Sequence, residues 1–297
     1  MTNYRYTHTT RIGELDALDV THPDFTARVF LQGAHLVHFA PTGQGNWLWL
    51  SEQAQFLPGR SIRGGVPICW PWFGVPEKNP PAVREQLQTD AAHGFARTAL
   101  WTLAEVEESA QAVSLCLSLT TTELDMPGWS GAARAELRLH FSANNCRLEL
   151  TTENLGAAPL HITQALHTYL PTPDIHSTRM HGLAGCRYVD TLRDWQSFEQ
   201  QGDVLFEGET DRIYYSDPQQ PLRIMPADKP AMVLQACGSH STVIWNPGPD
   251  KARRLGDFSP SAWTQMLCVE TANALDDAQC LLPGISTVLT LVLGKDS

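Results

Sequence analysis

No run of 18 consecutive apolar residues occurs in the 297-residue chain, which leaves no candidate for a membrane-spanning helix. Basic charge is scarce as well. Only 21 Lys and Arg stand against 32 Asp and Glu, a formal net charge of −11. A nucleic-acid partner needs a basic stripe and is excluded on that ground. A small anionic ligand is still allowed, but only through a local arginine cluster acting against the overall field. Cysteine pairing signals are missing. The seven cysteines are odd in number and show no C-x-x-C spacing, so neither a disulfide framework nor a redox motif is expected, and a reducing compartment is. The start, Met1-Thr-Asn-Tyr-Arg-Tyr-Thr-His, lacks an apolar signal core, and a cytoplasmic location is expected. G-x-x-x-x-G-K-[ST], G-x-G-x-x-G and G-x-S-x-G do not occur, which removes support for nucleotide, dinucleotide and hydrolase chemistry.

What is present is alternation. Hydrophobic residues make up 42% and charged residues 18%, enough apolar material for a large core. In 134–141, Ala135, Leu137, Leu139 and Phe141 point one way, and Arg134, Glu136, Arg138 and His140 the other. Val113, Leu115, Leu117 and Leu119 repeat the pattern, as do Cys146, Leu148 and Leu150, and Leu289, Leu291 and Leu293. A period of two predicts half-buried antiparallel strands. Further strands are predicted at 26–32, 34–40, 161–168, 231–236, 241–246 and 264–270. Amphipathic helices are few, and 21 Gly and 20 Pro supply turns. The expected fold is all-β, one domain over 1–297 built as a large antiparallel β-sandwich. Two segments break the strand rhythm, 57–97 and 245–263. Long loops in a compact domain are often functional.

The residues suited to chemistry lie in or beside these features. His167 shares a strand face with Ala165 and Tyr169, and Pro171 and Pro173 are expected to end that strand, placing the ring near a sheet end. Glu270 closes the apolar run Gln265–Glu270; it either exits to solvent or sits desolvated, where its basicity rises. Arg63 precedes Gly64-Gly65, and Arg97 ends His93-Gly94-Phe95-Ala96-Arg97. Arginine pairs clamp phosphates or hydroxyls through forked donors. Trp70, Trp72 and Phe73 can stack on a sugar or fill the core. Asp211 can take sugar hydroxyls or pair with Arg212, and Asp257 can do the same or simply form a turn. His35 and His38 lie three apart, which puts them on opposite strand faces and argues against a metal pair.

Five segments appear in a set order: SIRGGVPICWPWFG at 61–74, AHGFAR at 92–97, QALHTYL at 164–170, ETDRIYY at 209–215, and WNPG…GDFSPSAWTQMLCVETAN across 245–273. Together they resemble the hexose-6-phosphate mutarotase (glucose-6-phosphate 1-epimerase) branch of the aldose 1-epimerase family. The resemblance covers nearly the whole chain. It implies a galactose-mutarotase-like sandwich that interconverts the α and β anomers of a hexose 6-phosphate without cofactor or metal, as a monomer. It implies His167 and Glu270 as catalytic acid and base, and Arg63, His93, Arg97 and Asp211 as substrate contacts. Some relatives carry a glutamine before the HG pair, where this chain has Ala92. Acid–base ring opening implies a bell-shaped pH profile, with the acidic limb from Glu270 and the basic limb from His167. An unphosphorylated aldose, or a non-catalytic carbohydrate-binding sandwich, fits the same residues and remains as an alternative.

Overall fold

The computed structural model describes residues 4–123, 128–227 and 230–296. Strands dominate, and the α-helices among the described residues are two short ones, Pro81–Arg84 and Gly248–Ala252. A nine-stranded sheet carries the long alternating segments, including Ala112–Thr120, Ala133–Ser142, Asn145–Asn154 and Ser286–Lys295. A seven-stranded sheet runs in the order Gln196–Glu199, Arg187–Asp190, Thr210–Tyr215, Ser241–Asn246, Met266–Asn273, Gln164–Pro171 and Ile68–Cys69. All neighbouring strands in both sheets are antiparallel.

The alternation predicts the packing. Leu137, Leu139, Leu148, Leu150, Leu289, Leu291 and Leu293 of the nine-stranded sheet share one core with Leu166, Leu170, Ile244, Leu267 and Val269 of the seven-stranded sheet. Each such buried side chain contributes about 1.5–3 kcal/mol relative to exposure. The polar partners, such as Arg134, Arg138 and Arg147, form ion pairs on the outer face. A third sheet of four strands, Thr7–Ile12, Leu15–His22, Phe25–Phe30 and His35–Pro41, packs on the same core. Its first two strands are absent from the alternation reading. Thr7–Ile12 is an edge strand with one buried residue, so it carries little hydrophobic signal.

The central strands of the seven-stranded sheet are buried on both faces. All eight residues of Met266–Asn273 are buried, and so are the first seven of Gln164–Pro171. One face meets the core. The other lies under the long loops at 57–97 and 245–263. Two sequence expectations change here. His167 is mid-strand, directly opposite Glu270 in the register, and not at a sheet end; the strand runs through Leu170 to Pro171 because its partner continues beside it. Glu270 is mid-strand too, followed by Thr271, Ala272 and Asn273.

Candidate active site

Antiparallel register aligns the site in two rungs on the outer face of the seven-stranded sheet. Ile213, Val243, Glu270 and His167 lie across four neighbouring strands; Asp211, Trp245, Cys268 and Tyr169 form the next rung on the same face. Residues directly opposite on antiparallel strands point the same way. Residues 23 to 103 positions apart are thereby set side by side.

The loops complete a cavity of about 600 Å³. Its walls include all six residues singled out in the sequence: Arg63, His93, Arg97, His167, Asp211 and Glu270. They also include Tyr169, Trp195, Trp245 and Lys251, which the sequence reading did not choose. Tyr169 had a signal, since it shares the face of His167. Trp245 lies in a quoted motif and Lys251 in the loop 245–263, neither with a distinguishing spacing. Trp195 comes from a hairpin turn, in which Asp194 and Trp195 both have positive φ, and nothing local marks it. Trp70 and Trp72 are buried structural residues: Trp70 donates to Thr152 and Trp72 to the Ala91 carbonyl. Of that aromatic group Phe73 reaches the cavity. Arg212 pairs with Asp190, leaving Asp211 free of that pairing. Asp257 is spent on Arg63. Among the described residues no cluster of three or more His, Cys, Asp or Glu is arranged to hold a metal ion.

His167 Nε2 lies 3.4 Å from Glu270 Oε1. Glu270 is 2% exposed and His167 9%. The second carboxyl oxygen of Glu270 and Nδ1 of His167 are buried without a hydrogen-bond partner in the protein. Unspent polar groups at that depth are costly unless a partner meets them. Burial raises the Glu270 pKa well above the usual carboxylate value, and Asp211 adds to it while Arg97 opposes it. Burial lowers His167 well below 6.5, assisted by His93, Arg97 and Arg63. The pair is therefore driven toward its neutral form, with the proton on Glu270 and none on His167. Both directions run against the expected assignment of the acidic limb to Glu270 and the basic limb to His167.

Three cations, Arg63, Arg97 and Lys251, line the cavity against two carboxylates, Asp211 and Glu270. Two of these cations are paired, Arg63 with Asp257 and Lys251 with Glu209, each at 3.1 Å, in a chain of net charge −11. Arg63 is held on two sides: Nε donates to Asp257 at 3.1 Å and NH1 to the Tyr169 hydroxyl at 3.2 Å. The Tyr169 ring is stacked parallel to His167, centroids 4.8 Å apart at 9°, so it joins the cation to the acid–base pair. Arg97 donates to the backbone carbonyl of Ala92 at 3.1 Å. The residue that replaces the glutamine of some relatives therefore still supports the site, through its backbone. The Gly64-Gly65 pair lets the chain carrying Arg63 press against the strand His35–Pro41; a side chain at Gly65 would collide with the backbone of Leu36 and Val37.

His93 has a defined tautomer. The Gly74 amide donates to its Nδ1 at 3.3 Å. Burial, with Arg97, Arg63 and Lys251, pulls its pKa to about 3. The neutral ring must then carry its proton on Nε2, as a donor. Its backbone is held at φ 66 by the amide of His93 donating to the Gly74 carbonyl. Asp211 is also raised by burial, with Lys251 opposing, and offers a carboxyl to hydroxyl groups. The face therefore presents a general acid–base pair, neutral and cationic donors, an acceptor and aromatic rings.

The family model described as aldose 1-epimerase matches residues 16–294. The chain belongs to the aldose 1-epimerase family. Among its relatives in this family, an Escherichia coli K12 protein named "Putative glucose-6-phosphate 1-epimerase" is 36% identical over 267 residues, covering 89% of this chain and 85% of the relative. A crystal structure described as a "putative mutarotase" from Salmonella typhimurium superposes with a TM-score of 0.87 at 29% identity, covering 98% of this chain and 94% of that one. A galactose mutarotase-like protein from Clostridium acetobutylicum shares the fold at 14% identity, with a TM-score of 0.76 and 98% of each chain covered. The all-β, galactose-mutarotase-like architecture expected from the sequence is thus the architecture of this family.

Proposed function

We propose that this aldose 1-epimerase family member interconverts the α and β anomers of a hexose 6-phosphate, with His167 and Glu270 as the proton-transfer pair and Arg63, His93, Arg97 and Asp211 as substrate contacts. The observation that carries the reading is a buried, unsatisfied imidazole–carboxyl pair at the floor of a cavity that Arg63, Arg97 and Lys251 line.

Anomer exchange requires ring opening, rotation about C1–C2 and reclosure. Opening adds a proton to the ring oxygen O5, removes one from the C1 hydroxyl and breaks the C1–O5 bond. Imidazolium His167 donates to O5 while carboxylate Glu270 accepts from O1–H. The open aldehyde then faces neutral His167 and protonated Glu270, the form that burial favours. Closure on the other face reverses both transfers. The two groups share one proton throughout, so the cycle consumes nothing. They stand side by side on adjacent strands, which suits two oxygens bonded to one carbon better than opposed groups do. Each positioned acid or base supplies roughly 10²–10⁴-fold, enough for a reaction that water already catalyses.

The phosphate answers to the cations. Asp257 and Tyr169 occupy two of the donors of Arg63, leaving the rest of the fork for an anion. A monomer is the working unit in the same reading. A charged sugar does not cross a bilayer unaided, and a cytosolic location is part of the same reading; no helix among the described residues is long and apolar enough to cross a membrane.

The test is anomer-exchange NMR on glucose, galactose and mannose 6-phosphates with the free sugars as controls. Exchange should be faster for at least one phosphorylated sugar, and inorganic phosphate should compete. Faster exchange of free sugars with no competition would assign an unphosphorylated aldose, and no exchange with any of them would leave a binding protein.

A further inference from the structure

His35 is fully buried, yet it lies outside the cavity. Its Nε2 donates to the carbonyl of Gly64 at 2.7 Å, and Gly64 follows Arg63. A carbonyl only accepts, so Nε2 carries the proton. His35 ends a hairpin tip whose other members grip the same region. Gln32 is 5% exposed; its side chain accepts from the Gly59 amide at 2.7 Å and donates to the Arg60 carbonyl at 2.9 Å. Gly33 has φ +79, and a Cβ there would lie 2.7 Å from the carbonyl oxygen of Arg97. Its amide donates to the Ala99 carbonyl at 2.8 Å, and the Trp101 amide donates to the Leu31 carbonyl at 2.9 Å. Ala34, fully buried, holds a left-handed φ of 45.

Four residues of this tip thus touch the arginine-bearing segments, 59–64 through Gln32 and His35, and 97–101 through Leu31 and Gly33. They join two strands of the four-stranded sheet, Phe25–Phe30 and His35–Pro41, and not strands of the sheet that carries His167 and Glu270. The two arginines lie 34 positions apart in the chain, and this turn bridges the backbones that carry them. We propose that the hairpin tip Leu31–His35 is a positioning element that sets the spacing of Arg63 and Arg97, and through it the affinity for the anionic end of the substrate. This rests on the hexose-phosphate reading above.

Anion recognition by two forks demands geometry held to about half an ångström, and displacement of a positioning group by about 1 Å can cost as much as 10²-fold. The test uses the full chain with His35→Phe, which keeps an apolar ring but loses the donor, and His35→Gln, whose amide reaches the same carbonyl. Inorganic sulfate binding is followed by calorimetry, and KM and kcat are measured for glucose 6-phosphate and free glucose. The expected result for His35→Phe is a rise of about tenfold or more in the sulfate Kd and in the KM for the phosphorylated sugar. Its kcat and its KM for free glucose should stay within about twofold, and His35→Gln should recover most of the loss. If His35→Phe does not fold, Gln32→Ala carries the same measurements. A merely structural tie between sheets predicts lower thermal stability with unchanged sulfate binding, or equal changes in KM for both sugars; either result overturns the proposal. A parent protein that binds no sulfate and does not prefer phosphorylated sugars would overturn the hexose-phosphate reading, and this inference with it. A parent that does both, alongside a His35→Phe variant with parental affinity, removes the inference alone.

Discussion

Replacing Glu270 by glutamine separates chemistry from fold. The substitution keeps the side-chain shape and removes its capacity to exchange a proton. Glu270 is 2% exposed, and one carboxyl oxygen stands 3.4 Å from His167 Nε2. Loss of one positioned base should lower kcat for anomer exchange by roughly 10²–10⁴-fold, about 3–5 kcal/mol of barrier. The amide still offers polar atoms to sugar hydroxyls, so KM should change only a few-fold. Stability should move the other way. Burial and Asp211 raise the Glu270 pKa above its usual 4.5. Between the unfolded value and the raised folded value the native state binds more protons, so stability falls as pH rises through that window; below the unfolded value the penalty is absent. Glutamine carries no such penalty. Glu270→Gln should therefore melt higher than the parent at pH 8, by about 0.5–2 kcal/mol as for other relieved functional sites, or about 1–4 °C for a chain of this size. The advantage should shrink toward pH 4. NMR exchange on glucose 6-phosphate and thermal melts at three pH values measure both effects. Near-parental turnover would refute the catalytic assignment, and a stability gain independent of pH would refute the buried-carboxyl argument.

Three further outcomes are expected. The pH dependence of kcat/KM should be bell-shaped, because the active pair holds one proton; burial, aided by His93, Arg97 and Arg63, puts the His167 side below 6.5, so the acidic limb lies there, and the raised Glu270 side sets the basic limb. A flat profile from pH 5 to 9 would contradict this. Tyr169→Phe removes the hydroxyl that accepts from Arg63; hydrogen bonds to charged groups are worth about 1.5–3 kcal/mol, so KM for a phosphorylated sugar should rise by at least about tenfold with kcat little changed, and equal losses on free and phosphorylated sugars would argue otherwise. Leu148→Ala, at a fully buried core position, should cost about 2–5 kcal/mol in chemical denaturation while leaving KM unchanged; a shift in KM would show that the core and the site are coupled.

Legibility from the sequence followed the number of faces a strand buries. In Ala133–Ser142 one face is wet, so Leu137 and Leu139 alternate with Glu136 and Arg138 and the strand can be read directly. In Met266–Asn273 both faces are buried, so the alternation disappears and the strand seems to stop at its first charge. From sequence alone Glu270 therefore reads as a strand end. The same effect displaces His167: Pro171 ends its strand as expected, but the seven residues before it are all covered and the ring lies mid-strand. The six candidate residues came from motifs and from family resemblance. Tyr169, Trp195, Trp245 and Lys251 reach the cavity only through register and loop packing.

The sequence by itself determined the class of the protein. Its period-two pattern dictates antiparallel sheets, because only a pleated strand sends alternate side chains to opposite faces, and its ordered motifs point to a family. Only the tertiary structure decided the chemistry of the site. The affinities of Glu270 and His167 for a proton depend on how much water the overlying loops remove, and the reach of Arg63 depends on Asp257 and Tyr169. Desolvation and cross-strand register are properties of residues far apart in the chain, and no local stretch of sequence contains them.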